Sequence, residues 1–205
     1  MSGKGDSGRS YHLKCTGDAL NTAQSHSGPK DLTLFGSCFC PFVQRVWVAL
    51  EYLGIDYESS CYDDKAQPAA PNLRDLALIR LQADHVNRTL IPAFYRYLQA
   101  QDEEQQIEGG KEFMSALDGL VKLFERSDAE TETNIGLWKE SGQLGLADVM
   151  AGPWIFRATN VLAHYRGFSV PEGERFQAYV ERLVNHPAFK KTCSTKDLYL
   201  ESYER

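Results

Sequence analysis

Leu32-Thr33-Leu34-Phe35-Gly36-Ser37, followed by Cys38-Phe39-Cys40-Pro41-Phe42-Val43-Gln44-Arg45, sets a short apolar strand directly before a helix start. Gly36 bounds the strand. Downstream, Phe42, Val43, Val46, Trp47, Leu50 and Leu53 recur at i, i+3 and i+4, which is one apolar face of a helix ending at Gly54. Ile55-Asp56-Tyr57-Glu58 reads as a second short strand and completes a small βαβ unit. Pro41 suits the first helical turn, because its missing N–H would have had no intrahelical partner. Cys40 then stands at the N-cap, where free amides and the positive helix end favour a thiolate over a thiol. Such a sulfur attacks a disulfide or another soft electrophile, which makes Cys40 the candidate catalytic residue.

The remaining chain divides around that unit. Residues 1–30 carry Gly, Ser, Asp and Lys with isolated apolar residues and read as a disordered arm. Residues 31–62 hold the βαβ unit. Gln67-Pro68-Ala69-Ala70-Pro71 marks residues 63–71 as a linker, since each proline fixes its own φ and biases the residue before it away from helix. Residues 72–205 read as helical. Asn72 is a plausible cap for a long helix through Leu73, Leu76, Ile79, Ala83, Val86 and Leu90, with Pro92 placed to kink it. A second helix runs through Phe113, Leu117, Leu120, Val121 and Phe124, its start blurred by Gly109 and Gly110. Ser127 to Asn134 suits an exposed connection, and a short helix around Ile135 to Lys139 would turn Trp138 inward. Leu146 to Phe156, the most apolar segment, is the expected centre of the helical part and continues to Leu162. Helices over 172–184 and 187–192 and an amphipathic tail at Leu198 to Tyr203 complete the pattern.

Bulk properties narrow the function classes. With 22 Lys and Arg against 28 Asp and Glu, the net charge of −6 and the scattered cations argue against a nucleic-acid binder. Five cysteines in a 205-residue chain form an odd set that needs no disulfide stapling, so a reducing, cytoplasmic setting is expected. No run reaches the ~18–20 apolar residues of a membrane span. Cys38 and Cys40 lie two apart on an extended segment and face opposite ways, and no further His or Cys follows at zinc-motif spacing, so no metal site is expected. Cys15, Cys61 and Cys193 have no comparable context and read as incidental thiols. His85, His164 and His186 read as hydrogen-bonding residues, and Trp47 and Trp154 as core aromatics.

The strand, Cys40-Pro41-Phe42 and helix arrangement, followed by Gln44-Arg45-Val46-Trp47, resembles the glutathione transferase superfamily, especially its omega-like class of fungal type. The likeness continues in Leu76 to Asp84, which is similar to the first long helix of that family's helical domain. It continues again in Leu144-Gly145-Leu146-Ala147-Asp148, similar to the cap of its buried central helix, with Gly145 where Ser or Thr is common. The resemblance implies an α/β plus all-α fold, a thioredoxin-like βαβ unit followed by a glutathione-transferase-like helical domain. It implies Cys40 as a monothiol nucleophile, with Val43 where a resolving cysteine would stand, and glutathione as cosubstrate. Phe42, Glu58 and Ser59 are its implied glutathione contacts. Mixed disulfides, dehydroascorbate or small electrophiles are the implied substrates, and a homodimer is within the family's habit. Arg157 and Tyr165 fall where relatives line an electrophile pocket, although each also reads as structural.

One departure is large. Only about ten residues separate Glu58 from the proline-rich boundary, where a full thioredoxin-like domain carries further strands and a Val-Pro segment; the N-terminal unit is therefore shortened. Glu58-Ser59 consequently has two readings, as the pair that opens a third helix and holds the γ-glutamyl group, or as the end of the second strand. Two parallel strands and one helix leave edges and an apolar face that something must cover. The alternative to an enzyme is a catalytically impaired binding or structural protein of the same descent.

Overall fold

The computed structural model describes His12 and residues 14–60, 73–131 and 134–204. Cys61, the linker at 63–71 and the Asn72 cap lie outside the described residues. In chain order the elements are α1 (Gly17–Ser25), β1 (Thr33–Phe35), α2 (Pro41–Leu53), β2 (Glu58–Ser60), α3 (Leu73–His85), α4 (Ile91–Gln99) and α5 (Glu103–Glu130). There follow α6 (Leu146–Arg157), α7 (Ala163–Arg166), α8 (Glu174–Asn185), α9 (Pro187–Lys190) and α10 (Lys196–Tyr203). Strands β1 and β2 pair in parallel with Thr33 opposite Glu58 and Phe35 opposite Ser60, and α2 is the crossover between them. This is the expected mixed N-terminal unit ahead of a large helical domain.

Helix α1 departs from the expected disordered arm. Ala19 and Thr22 are buried, the Ala19 amide donates to the Cys193 carbonyl, and the Thr16 and Thr195 hydroxyls meet at 2.9 Å. The partners that order this helix lie more than 170 residues away. The local composition, which decided the disordered reading, holds no trace of them. At its far end the His26 carbonyl accepts from the Ser59 amide while the Glu58 amide donates to Leu32, so the amides of β2 are used on both sides. The His26 ring stacks on the buried Tyr57 ring at 4.0 Å. Part of the cover that a short sheet requires is thus supplied by the N-terminal segment itself.

A buried carboxylate fastens these pieces. Glu51 of α2 accepts from the Tyr57 hydroxyl at 2.7 Å and from Lys191 at 3.0 Å, and lies 3.1 Å from the His26 imidazole. Burial pushes its pKa up, but the Tyr57 hydroxyl and the Lys191 ammonium outweigh that and hold the carboxyl below its ordinary range.

In the helical domain, prolines and glycines are placed by packing. Pro92 removes an amide and crowds the preceding turn. The chain absorbs this by widening Val86–Leu90 into a π-turn in which the Ile91 amide donates to Val86, so α3 and α4 continue as one bent rod. A second π-turn, Ala158–Leu162, joins α6 to α7. Gly109 and Gly110 lie inside α5 and not at its start: a Cβ on Gly109 would fall 2.9 Å from the Tyr97 Cα, which is the close approach of α4 to α5. The helix instead begins at Asp102, whose carboxylate accepts from the Gln105 amide, and it extends past the expected Ser127 boundary to Glu130. Residues 135–139 form turns closed by the Ile135–Gln143 bridge in place of the expected helix, with Trp138 buried as its pattern requires.

Helix α6 runs through the centre, with Trp154 and Ala151 fully buried. Its cap is one-sided, because Gly145 offers no side chain. Asp148 accepts from the amides of Gly145 and Leu137, while the buried Tyr179 hydroxyl faces the same carboxyl. A Cβ on Gly145 would meet Ile135 Cγ2 at 2.8 Å, which explains the glycine at this cap. Complete burial raises the Asp148 pKa to about 6, against the pull of the two amides. A folded value above the unfolded ~3.9 means that the stability from this proton is fully present below about 3.9 and lost as pH rises through about 6, at most ~3 kcal/mol. Asp148→Asn keeps an acceptor for both amides. Urea midpoints measured for both chains are expected to show the variant gaining on the parent between about pH 4 and about pH 7.

Candidate functional site

Cys40 occupies the N-cap of α2 with extended backbone angles (φ −75°, ψ 120°), and its thiol is not spent on capping. The turn that delivers it is closed by the Cys40 amide donating to the Ser37 carbonyl, and the helix ladder begins with the Gln44 amide on the Cys40 carbonyl. The first-turn amides of Phe42 and Val43 open toward this position, since Pro41 has none to give. Gly36 makes the geometry possible: a Cβ there would sit 2.2 Å from Val43 Cγ1. Cys40 is half-buried, whereas Cys38, two residues earlier, is buried, so the two thiols do face different surroundings.

Helix α6 reaches into this turn with Arg157, whose side chain is fully buried. Its guanidinium donates to the Phe39 carbonyl at 2.8 Å, to Gln44 Oε1 at 2.8 Å and to the Pro153 carbonyl at 2.9 Å, and it lies over the Tyr199 ring. Gln44 passes the connection on, donating to the Thr192 carbonyl and hydroxyl. The Cys40 turn is thereby tied to the core of the helical domain and to the loop before α10. Arg157 is a residue of the interface and not of an open pocket, and Tyr165 likewise donates its hydroxyl to the Leu200 carbonyl.

Three comparisons bear on this arrangement. The family model described as "Glutathione S-transferase, N-terminal domain" matches residues 39–94. Among solved structures, glutathione transferase Omega 3C from Trametes versicolor is 27% identical, with a TM-score of 0.71 over 88% of this chain and 97% of that one. The chain is similar to glutathione transferases, the omega-like class among them. The trimeric glutathione transferase TDR1 of Leishmania (17% identity, TM-score 0.66, 84% of this chain and 48% of that one) shares the fold. So does a glutathione S-transferase from Legionella pneumophila (19%, TM-score 0.53, 78% and 98%). No curated protein matches the sequence.

Within this glutathione-transferase fold the implied contacts separate. Phe42 is 49% exposed, its ring edge-on to Trp154 at 4.8 Å, leaving ring surface beside Cys40 open to a ligand. Arg45 locks that aromatic pair, lying 4.3 Å over Trp154 and donating to the Met150 carbonyl at 3.0 and 2.8 Å. Glu58 and Ser59 lie in β2 and not at the start of a third helix. Consecutive strand residues leave the sheet on opposite faces, so the pair does not converge as it would at a helix start. Glu58 opens β2 opposite Thr33 and Ser59 is its central residue opposite Leu34, whereas the end that leads to the Cys40 turn is marked by Phe35 and Ser60.

Tyr95 of α4 is the neighbour that pattern reading missed. Its half-buried phenol hydrogen-bonds Tyr203, and burial, the nearby Tyr203 and the charge of Cys40 hold its proton on, against the pull of Arg157. The helical period marks Tyr95 only as an apolar-face residue, and nothing local signals that the two helices meet there. Among the described residues no cluster of metal-ligating side chains occurs, and no helix is long and apolar enough to cross a membrane.

The Arg157 network yields a direct test. Arg157→Leu leaves the Phe39 carbonyl and Gln44 Oε1 buried without donors, and is expected to lower stability by about 2–4 kcal/mol in urea unfolding. A double-mutant cycle with Gln44→Leu should show coupling of about 0.5–3 kcal/mol; strictly additive effects would mean that the two side chains do not act as one link.

Proposed function

We propose that the chain is a glutathione-dependent thiol transferase of omega-like kind, acting on mixed disulfides, with dehydroascorbate and small electrophiles as further acceptors, in a reducing cytoplasmic setting. The observation that carries this reading is the half-buried Cys40 thiol at the N-cap of α2, uncommitted to capping. The helix start supplies amides and the positive end of the dipole to a sulfur anion. Tyr95, its proton held on, is a neutral polar group near that sulfur.

In the reaction, the Cys40 thiolate attacks the glutathione sulfur of a mixed disulfide. A Cys40–glutathione disulfide forms, the original S–S bond breaks, and the substrate leaves as a thiolate that takes a proton from solvent. The thiolate of a second glutathione then attacks the glutathione sulfur on Cys40, forming glutathione disulfide and returning the Cys40 thiolate. Phe42 presents its ring face to the bound tripeptide. Of Glu58 and Ser59, one side chain serves the γ-glutamyl end and its neighbour faces away, so single substitutions at the two positions should affect the KM for glutathione unequally.

Cys40→Ser keeps the size of the N-cap side chain. It is expected to reduce glutathione-dependent turnover of a cysteine–glutathione mixed disulfide by at least about a hundred-fold, and to abolish the Cys40–glutathione adduct seen by intact mass. Unchanged turnover in this variant would remove Cys40 from the reaction. A parent chain that binds glutathione without turning over would favour a binding protein of the same descent.

A further inference from the structure

Two buried thiols outside the proposed chemistry meet at the base of the Cys40 turn. Cys38 is 8% exposed, and so is Cys15, just ahead of α1. The Cys38 thiol donates to the His12 carbonyl at 3.1 Å, and the Cys15 side chain is hydrogen-bonded to the Cys38 sulfur. Twenty-three sequence positions separate the two cysteines, and the segment between them contains α1, the His26 contact with β2, and β1. The two sulfurs belong to surfaces already held together: Thr16, beside Cys15, is bonded to Thr195, and Cys38 sits in the turn whose Phe39 carbonyl is held by Arg157.

We propose that Cys15 and Cys38 are a site of reversible oxidative modification, forming a disulfide that fastens the N-terminal segment to the turn carrying Cys40. A hydrogen bond between the two thiols brings the sulfurs side by side, the approach from which a covalent link is made. Both groups are nearly enclosed, which selects a small oxidant, hydrogen peroxide. Cys38 is the sulfur that reacts first: the hydrogen bond from Cys15 lowers its pKa to about 7 in spite of burial, with its own amide and His12 adding to the effect.

The Cys38 thiolate attacks one peroxide oxygen, the O–O bond breaks, and the departing hydroxide takes a proton to leave as water; Cys38 is now a sulfenic acid. The Cys15 sulfur attacks the Cys38 sulfur, the S–O bond breaks, and the hydroxyl of the sulfenic acid leaves with the Cys15 thiol proton as a second water. Two thiols have given up two electrons to one peroxide. Glutathione reverses the link by two successive exchanges, which release glutathione disulfide.

Cys38 and Cys40 are neighbours in one turn, so the competing outcomes involve Cys40, Cys61 and Cys193. The full chain and its Cys40→Ser variant are treated with hydrogen peroxide, unfolded, alkylated and mapped without reduction. Expected in both is a linked pair of peptides carrying Cys15 and Cys38, a loss of two alkylatable thiols, and their return after glutathione. Cys15→Ser should instead accumulate a Cys38 sulfenic acid trapped by dimedone. A link from Cys38 to any other cysteine, or a full complement of alkylatable thiols after peroxide, would overturn the proposal. Because the variant lacking Cys40 is used, the result is independent of whether Cys40 turns over glutathione.

Discussion

A two-stranded parallel sheet with a single helix cannot hold its own shape, and here the buried guanidinium of Arg157 takes over that task. It reaches from α6 into the Ser37–Cys40 turn, binds the Phe39 carbonyl and fixes Gln44, which in turn holds the loop at Thr192. Two backbone carbonyls and a side-chain amide oxygen accept from Nη1 and Nη2, Nε is buried without a hydrogen-bond partner, and an aromatic face lies beneath the group. Burying such a cation is costly unless every strong donor direction is used. The bonds to Phe39 and Gln44 recover part of that cost, so the side chain that supports the Cys40 loop also links the sheet unit to the helical domain.

The same logic recurs on the outer side of α2. Glu51 gathers Tyr57 from the segment leading into β2, His26 from the end of α1 and Lys191 from the end of α9. A carboxylate with so little exposure holds its charge because three donors arrive from three elements. Helix α2 is therefore clamped at its N-terminal half by Arg157 and Arg45 and at its C-terminal half by Glu51. The apolar face, Trp47, Val48 and Leu50, supplies the burial, while the polar clamps decide the orientation.

The strand, the N-cap position of Cys40 and the centrality of α6 were legible because each is a local pattern: an apolar period, a proline at a helix start, a glycine after its end. The interior of α5 was less so. Gly109 and Gly110 signal a weak helix to propensity alone, yet they mark where α4 crosses, and the reason is the Tyr97 backbone, absent from the local window. The order of α1 was illegible for the same kind of reason, since its partners Cys193 to Thr195 lie at the other end of the chain. At the candidate site, the cap position of Cys40 follows from its neighbours in sequence, whereas the nearness of Tyr95 does not, because only the tertiary fold brings α4 beside the turn. Glu58 and Ser59 carried two local readings, and only the pairing with Thr33 and Leu34 selects one.

These placements bear on how a shortened sheet unit can support thiol chemistry. A cap sulfur gains from a helix dipole only while the first turn stays formed, because the field of the orphan amides falls off within that turn. In a full sheet, neighbouring strands would help to hold the helix start. In this chain the work passes to Arg157, to Gly36, which lets Val43 close onto the end of β1, and to the N-terminal segment that pairs with β2 through His26. The order of the first turn of α2 is thus a property of the interface between the two parts of the chain. Whatever loosens that interface frays the first turn of α2, and with it the cap position on which the proposed chemistry of Cys40 depends.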